Sequence, residues 1–235
     1  MSVSVIVALA GQGKRMKTNV PKQFIELFNK PLFIYTLEEI EQCECVDEIV
    51  LVTGKEHLEY LKTTVERYHL RKVKKIIEGG AERQDSIYNG IMAVNPNNSY
   101  IAVQDGVRPL VKSNYFAKSV ELLEKNRTVD GVVVGVWAKD TIKMVNADGL
   151  IESTPDRKTI FHAQTPQTFR VDVLKKAYQV AKETHYLGTD DASLVERYKG
   201  NVMILEGDYE NIKVTTPSDL DFFRHYVEVR DESKN

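Results

Sequence analysis

The chain has 235 residues, 42% of them hydrophobic, with 32 basic against 34 acidic side chains and a formal net charge of −2. That length suits one α/β domain with a small appendage, and the near-balanced charge excludes a nucleic-acid face or a cationic membrane surface as the organising feature. Any anion site must therefore be a local concentration of positive charge. Val3–Leu9 is an almost unbroken apolar run and predicts a strand buried on both faces. Leu32–Glu41 places apolar residues at 33, 34, 37 and 40, which predicts a helix. Glu48–Thr53 predicts a strand, and Glu56–His69 a helix with Leu58, Leu61, Val65 and Tyr68 along one stripe. Strands are expected at Val73–Ile77, Tyr100–Val103 and Gly131–Val136. Helices are expected at Arg83–Val94, Asn114–Lys125, Val171–Thr184, Asp190–Tyr198 and Ser218–Val229. The alternation predicts a mainly parallel sheet covered on both faces, with ligands at the carboxyl ends of its strands.

One segment breaks the alternation. Thr141–Val145 and Leu150–Thr154 are strand-like and flank Asn146-Ala147-Asp148-Gly149, whose Asp-Gly pair is a type I′ hairpin signal. A projecting β-arm is expected over about 137–160. Cys43 and Cys45 match no metal pattern and are expected as reduced thiols on different faces of a helix. The five histidines are scattered without ligand spacing. The N-terminus runs straight into the first strand without a basic leader, and no stretch approaches transmembrane length. A soluble, cytoplasmic protein is the expectation.

The chemistry begins at Ala8-Leu9-Ala10-Gly11-Gln12-Gly13-Lys14-Arg15-Met16, followed by Pro21-Lys22-Gln23. Two glycines let main-chain N–H groups approach an anion, and Lys14, Arg15, Lys17 and Lys22 cluster beside them. A tight turn with solvated lysines reads the same segment equally simply. A Walker loop would need Gly at 8 and Ser or Thr at 15, where Ala8 and Arg15 stand. A dinucleotide fingerprint would need Gly or Ala in place of Met16, with a helix directly after, and Pro21 argues for continuing loop.

This stretch resembles the N-terminal signature of the sugar-nucleotidyltransferase superfamily. Further pieces follow in order: Gly79-Gly80-Ala81-Glu82-Arg83-Gln84-Asp85-Ser86, Asp105-Gly106-Val107-Arg108-Pro109, Asp140-Thr141-Ile142-Lys143, Arg157, Ala163-Gln164-Thr165-Pro166-Gln167, Thr189-Asp190-Asp191-Ala192-Ser193 and Asn211-Ile212-Lys213-Val214-Thr215. Together they resemble the 2-C-methyl-D-erythritol 4-phosphate cytidylyltransferases of the non-mevalonate isoprenoid pathway. The resemblance implies one Rossmann-like nucleotidyltransferase domain over 1–235 with the arm as its subdomain. It also implies transfer of a cytidylyl group from CTP to a small polyol phosphate, with Mg²⁺ as cofactor and a homodimer as the assembly.

It further implies site residues. Arg15, Lys22 and Lys213 would act on the phosphates, and Ala10, Gly11, Gly13 and Lys14 would cradle them. Gly79, Gly80, Ala81 and Ser86 would read cytosine; Ala81 departs from a polar residue often found there, leaving a main-chain contact. Asp105 would bind nucleotide and metal, with Asp208 or Glu210 as helpers. Arg108, Thr141, Arg157, Thr165 and Thr189 would bind the polyol phosphate, hydroxyls meeting hydroxyls and a guanidinium fork meeting phosphate. Alone, Lys213 reads as an exposed residue in an Ile212-Lys213-Val214 strand pattern, and Asp105 as a turn former. Three alternatives remain in the sequence. One is a ribitol-5-phosphate cytidylyltransferase, one a nicotinamide oxidoreductase disfavoured by Met16 and Pro21, and one a non-catalytic nucleotide-binding module.

Overall fold

In the computed structural model, which describes residues 2–11 and 20–232, the first apolar run forms β1 (Val3–Ala8). A two-residue hairpin, β2 (Glu26–Leu27) and β3 (Lys30–Pro31), leads into α1 (Leu32–Glu41). Its central pair, Phe28 and Asn29, both take positive φ (51° and 59°), as a type I′ turn requires. Then come β4 (Val46–Thr53), α2 (Leu58–Arg67), β5 (Val73–Glu78), α3 (Arg83–Ala93) and β6 (Tyr100–Asp105). They are followed by α4 (Asn114–Lys125), β7 (Gly131–Trp137), the arm strands β8 (Met144–Val145) and β9 (Ile151–Ser153), and β10 (Phe161–Arg170). The chain closes with α5 (Val171–Glu183), α6 (Asp191–Arg197), β11 (Val202–Glu206) and α7 (Pro217–Glu232).

Among the described residues the main sheet has seven strands in the order β11-β7-β10-β6-β1-β4-β5. β10 alone runs antiparallel, to both β6 and β7. On β1 the alternation sorts side chains by face. Val3, Val5 and Val7 join a core with Phe33 and Leu37 of α1, Leu61 of α2 and Phe116 of α4. Ile6 joins the opposite core with Ile87 of α3, Leu174 of α5 and Val195 of α6. Each such aliphatic side chain removed from water contributes about 1.5–3 kcal/mol, so the central strands are held from both sides. β1 extends to β4 on one side and pairs with β6 on the other, and strand order reverses there. A doubly wound sheet binds its ligand at that reversal.

Several expectations change. The main sheet includes two strands that the sequence pattern does not predict, β10 and β11. Ile212-Lys213-Val214 is not a strand; the segment runs beside the sheet, and Val214 N–H donates to Val107 O at 2.9 Å. The arm turn is not type I′, because Ala147 and Asp148 stay out of positive φ and Gly149 alone takes φ +82°. Gly149 N–H donates to Asn146 O, a turn followed by one left-handed residue. Cys43 and Cys45 lie beyond the end of α1 rather than on a helix, with their sulfurs 3.2 Å apart and unbridged.

Candidate active site

The carboxyl ends of β1, β4, β5 and β6 open into one cleft of about 770 Å³, a size that holds a nucleotide-scale ligand. Ala10 and Gly11 enter it from β1, Thr53 and Lys55 from β4, Gly79 and Gly80 from β5, and Asp105 from β6. Lys22 and Lys213 line the same cleft from loops. Gly13, Lys14 and Arg15 lie outside the described residues.

The described residues on either side of the expected phosphate loop are each anchored. Leu9 N–H donates to Val52 O at 2.8 Å, which continues the β1–β4 register past the last sheet residue. On the far side, Lys22–Phe24 form a single 3₁₀ turn capped by Pro21, and Phe24 N–H donates to Pro21 O. Phe24 packs edge-on against Phe33, His57 and Tyr60 at centroid distances of 5.8, 4.7 and 5.1 Å. Lys22 therefore stands on a turn that is rooted in the core.

The glycine turn after β5 is shaped by close approach. A Cβ on Gly79 would fall 2.7 Å from Ser86 Oγ, and one on Gly80 would fall 2.3 Å from Asp85 Cβ. Only glycine lets the main chain fold this tightly onto the start of α3. Ser86 Oγ accepts from Gly80 N–H at 3.0 Å and donates to Glu82 O at 3.1 Å. The hydroxyl thus secures the turn and keeps one lone pair for a ligand. Glu82 and Asp85 close a capping box at the start of the helix. Ala81 also lines the cleft.

Asp105 gathers the charge. Its side chain is 8% exposed, and its Oδ2 meets Lys213 Nζ at 3.0 Å and Arg108 Nε at 3.2 Å. Burial alone would raise its pKa, but the cations of Lys213, Arg108 and Arg83 outweigh it and hold the carboxyl well below the usual carboxylate range. Arg108 Nη1 donates to Asn211 O at 2.7 Å, so this buried guanidinium braces the loop that carries Lys213 and does not line the cleft. Asn211 Nδ2 donates to Gln164 Oε1 and Thr165 O. Thr165 Oγ1 accepts from Asp105 N–H at 3.1 Å, which places that hydroxyl at the back of the aspartate loop.

Among the described residues no group of three or more His, Cys, Asp and Glu side chains converges as a metal cage. Magnesium needs no such cage, because one or two carboxylates plus substrate phosphates hold it. Asp105, ionised at the mouth of β6 and in the cleft lining, takes both of its cations on Oδ2, and its Oδ1 fits that donor set. The expected helpers do not. Asp208 is taken by Lys112 at 2.9 Å and by the Tyr115 hydroxyl, Glu210 lies by Tyr226, and neither lines the cleft.

The remaining residues expected at the polyol phosphate stand apart. Thr189 borders a smaller cavity of about 130 Å³ that shares Arg83 with the cleft. Thr141 and Arg157 lie on the exposed arm, where Arg157 Nη1 donates to Lys139 O at 2.8 Å. The cleft also contains groups that sequence reasoning missed: Gln23, Lys55 and Arg83. Arg83 pairs with the fully buried Asp191 at 2.7 Å and so joins the glycine turn to the Thr189-Asp190-Asp191 segment. Its place within the Gly79–Ser86 motif was the available signal.

Comparison with known proteins agrees along nearly the whole chain. The family model IspD, 2-C-methyl-D-erythritol 4-phosphate cytidylyltransferase, matches residues 3–229. A protein of that name from Fusobacterium nucleatum is 43% identical over 94% of this chain and 95% of its own. One from Clostridium botulinum is 39% identical over 92% and 93%. Among solved structures, the 4-diphosphocytidyl-2C-methyl-D-erythritol synthase of Anaerococcus prevotii superposes with a TM-score of 0.84 at 29% identity, covering 96% of each chain.

Proposed function

The chain belongs to the IspD family of 2-C-methyl-D-erythritol 4-phosphate cytidylyltransferases, and from that premise we propose how its cleft performs the transfer. It is a CTP-dependent nucleotidyltransferase that joins the cytidylyl group of CTP to 2-C-methyl-D-erythritol 4-phosphate and releases pyrophosphate, a step of isoprenoid biosynthesis. The same membership sets aside the ribitol phosphate, oxidoreductase and non-catalytic readings. One observation carries the assignment of the site: Lys22, Asp105 and Lys213 share a cleft with the Gly79–Gly80 turn at the reversal of the sheet.

In our reading the base lies against Ala10 and the Gly79-Gly80-Ala81 main chain, and the triphosphate lies toward Gly11, Lys22 and Lys213. A phosphate monoester oxygen of the acceptor attacks the α-phosphorus, and the bond to the β-phosphate oxygen breaks as pyrophosphate leaves. The nucleophile is already ionised near neutral pH, so no general base is required. The protein supplies position and charge. Lys22, with Arg15, neutralises the crowded α-phosphate, and Asp105 keeps Lys213 aimed into the cleft. Asp105 and the CTP phosphates would hold Mg²⁺, which as a Lewis acid supplies charge stabilisation on the phosphoryl oxygens.

We assign the arm to a homodimer. Met144, Val145, Leu150 and Ile151 are 55, 55, 66 and 62% exposed, and a lone two-stranded hairpin is marginal in water. A second copy of the arm covers them economically, and Thr141 and Arg157 then complete the neighbour's polyol site. A cytoplasmic location belongs to the same proposal, and no helix among the described residues is long and apolar enough to cross a membrane. The test is CTP-dependent pyrophosphate release. Methylerythritol phosphate should support turnover, and ribitol 5-phosphate should support little. Equal rates with both would contradict the acceptor assignment.

A further inference from the structure

Gln23 is a polar side chain that is only 3% exposed. Its Nε2 donates to Leu9 O at 2.7 Å and to Gly11 O at 3.0 Å. Both amide protons are thereby spent on main-chain carbonyls of the segment that opens the phosphate loop, while the residue itself sits in the turn that carries Lys22. Gln23 thus joins two pieces of chain that enter the cleft separately. A carbonyl that accepts from Gln23 is turned toward it and cannot turn its negative end to a triphosphate.

The other side of the turn is fixed independently. Phe24 is packed among Phe33, His57 and Tyr60, and Ile25 N–H donates to Lys22 O. Phe24 sets where the turn sits on the core, and Gln23 sets its register against Gly11. We propose that Gln23 is a positioning residue for the transfer step, tying Lys22 to the main chain of the phosphate loop so that its ammonium meets the transferring phosphate in one arrangement. The proposal rests on the assignment of Lys22 to the phosphates. Loss of the amide leaves the turn on the core but frees its register. Such a misplacement is felt at the transition state more than in ground-state binding.

A double-mutant cycle tests this, with kcat and KM for CTP measured in wild type, Gln23→Met, Lys22→Ala and the double variant. Methionine keeps the length and volume and removes both donors. If Gln23 acts through Lys22, Gln23→Met should lower kcat about tenfold or more in the wild-type background and less than about twofold in the Lys22→Ala background. KM for CTP should stay within about threefold of wild type. A merely structural glutamine would cost the same factor in both backgrounds. That result, or an unchanged kcat in Gln23→Met alone, would overturn the proposal. Should Gln23→Met fail to fold, Gln23→Asn, which keeps the amide but shortens its reach, takes its place in the cycle, and the same pair of fold-changes supports or overturns the proposal. An unchanged kcat in Lys22→Ala would remove the premise itself.

Discussion

The cleft and the arm are built on opposite principles. Around the cleft a chain of polar groups answers others of the same chain: Asp105 to Lys213 and Arg108, Thr165 to Asp105, Asn211 to Gln164, Ser86 to Gly80. In the arm, apolar side chains at 144, 145, 150 and 151 face solvent, and its root alone is tied down, with Trp137 edge-on to Phe161 at 5.2 Å and Tyr209 Oη donating to Trp137 O. A network of ion pairs and hydrogen bonds within one chain holds charged groups in place without help. An uncovered apolar hairpin is complete only when something packs on it. In our reading the nucleotide half of the site belongs to one chain, and part of the acceptor half arrives from another.

Substitutions in the two regions should fail in different ways. Lys22→Ala should give the largest loss, about 10²–10³-fold in kcat, with the fold intact by circular dichroism. Asp105→Asn should follow at about 10²-fold, recovering in part at higher magnesium, because it keeps the shape and removes the charge. A magnesium titration superimposable on wild type would deny Asp105 the metal. Leu150→Asp with Ile151→Asp should turn the proposed dimer into a monomer in sedimentation and lower turnover at least about tenfold, while CTP still binds by calorimetry. Loss of CTP binding in that variant would erase the contrast between the regions. The smallest effect belongs to Ser86→Ala, which frees the Gly80 N–H. At about 1 kcal/mol for a net hydrogen bond, CTP affinity should weaken roughly fivefold.

What was legible in the sequence follows from what leaves a pattern. The buried parallel strands did, because β1, β4 and β6 each carry a run of apolar residues: Val5–Ala8, Ile49–Val52 and Ile101–Val103. The amphipathic helices did, and so did the glycine turn, where a Cβ cannot fit. β10 did not. Its Phe-His-Ala-Gln-Thr-Pro-Gln-Thr-Phe-Arg is polar at its centre, yet Gln164, Thr165, Gln167 and Thr168 are buried. Burial of the two glutamines is tolerable because Gln167 takes Asp190 and the Ala192 N–H, and Gln164 meets Asn211. Partners that far along the chain carry no local signal. The same holds for Gln23 and for Arg83, whose roles lie in hydrogen bonds and ion pairs across the fold. Lys213 lines the cleft, but from a loop rather than the strand its pattern predicts, since a short apolar flank fits a packed loop as well.

The claim that the site is shared between two chains is tested most directly by complementation. Lys22→Ala and Arg157→Ala, each nearly inactive alone, are unfolded together, refolded as an equal mixture and assayed for CTP-dependent pyrophosphate release. Random pairing makes about half the dimers mixed, and in an isologous pair one site of each mixed dimer then lacks both substitutions. Activity should return to about a quarter of wild type. If mixed dimers are demonstrated by mass and no activity returns, Arg157 serves its own chain and the division between cleft and arm is wrong.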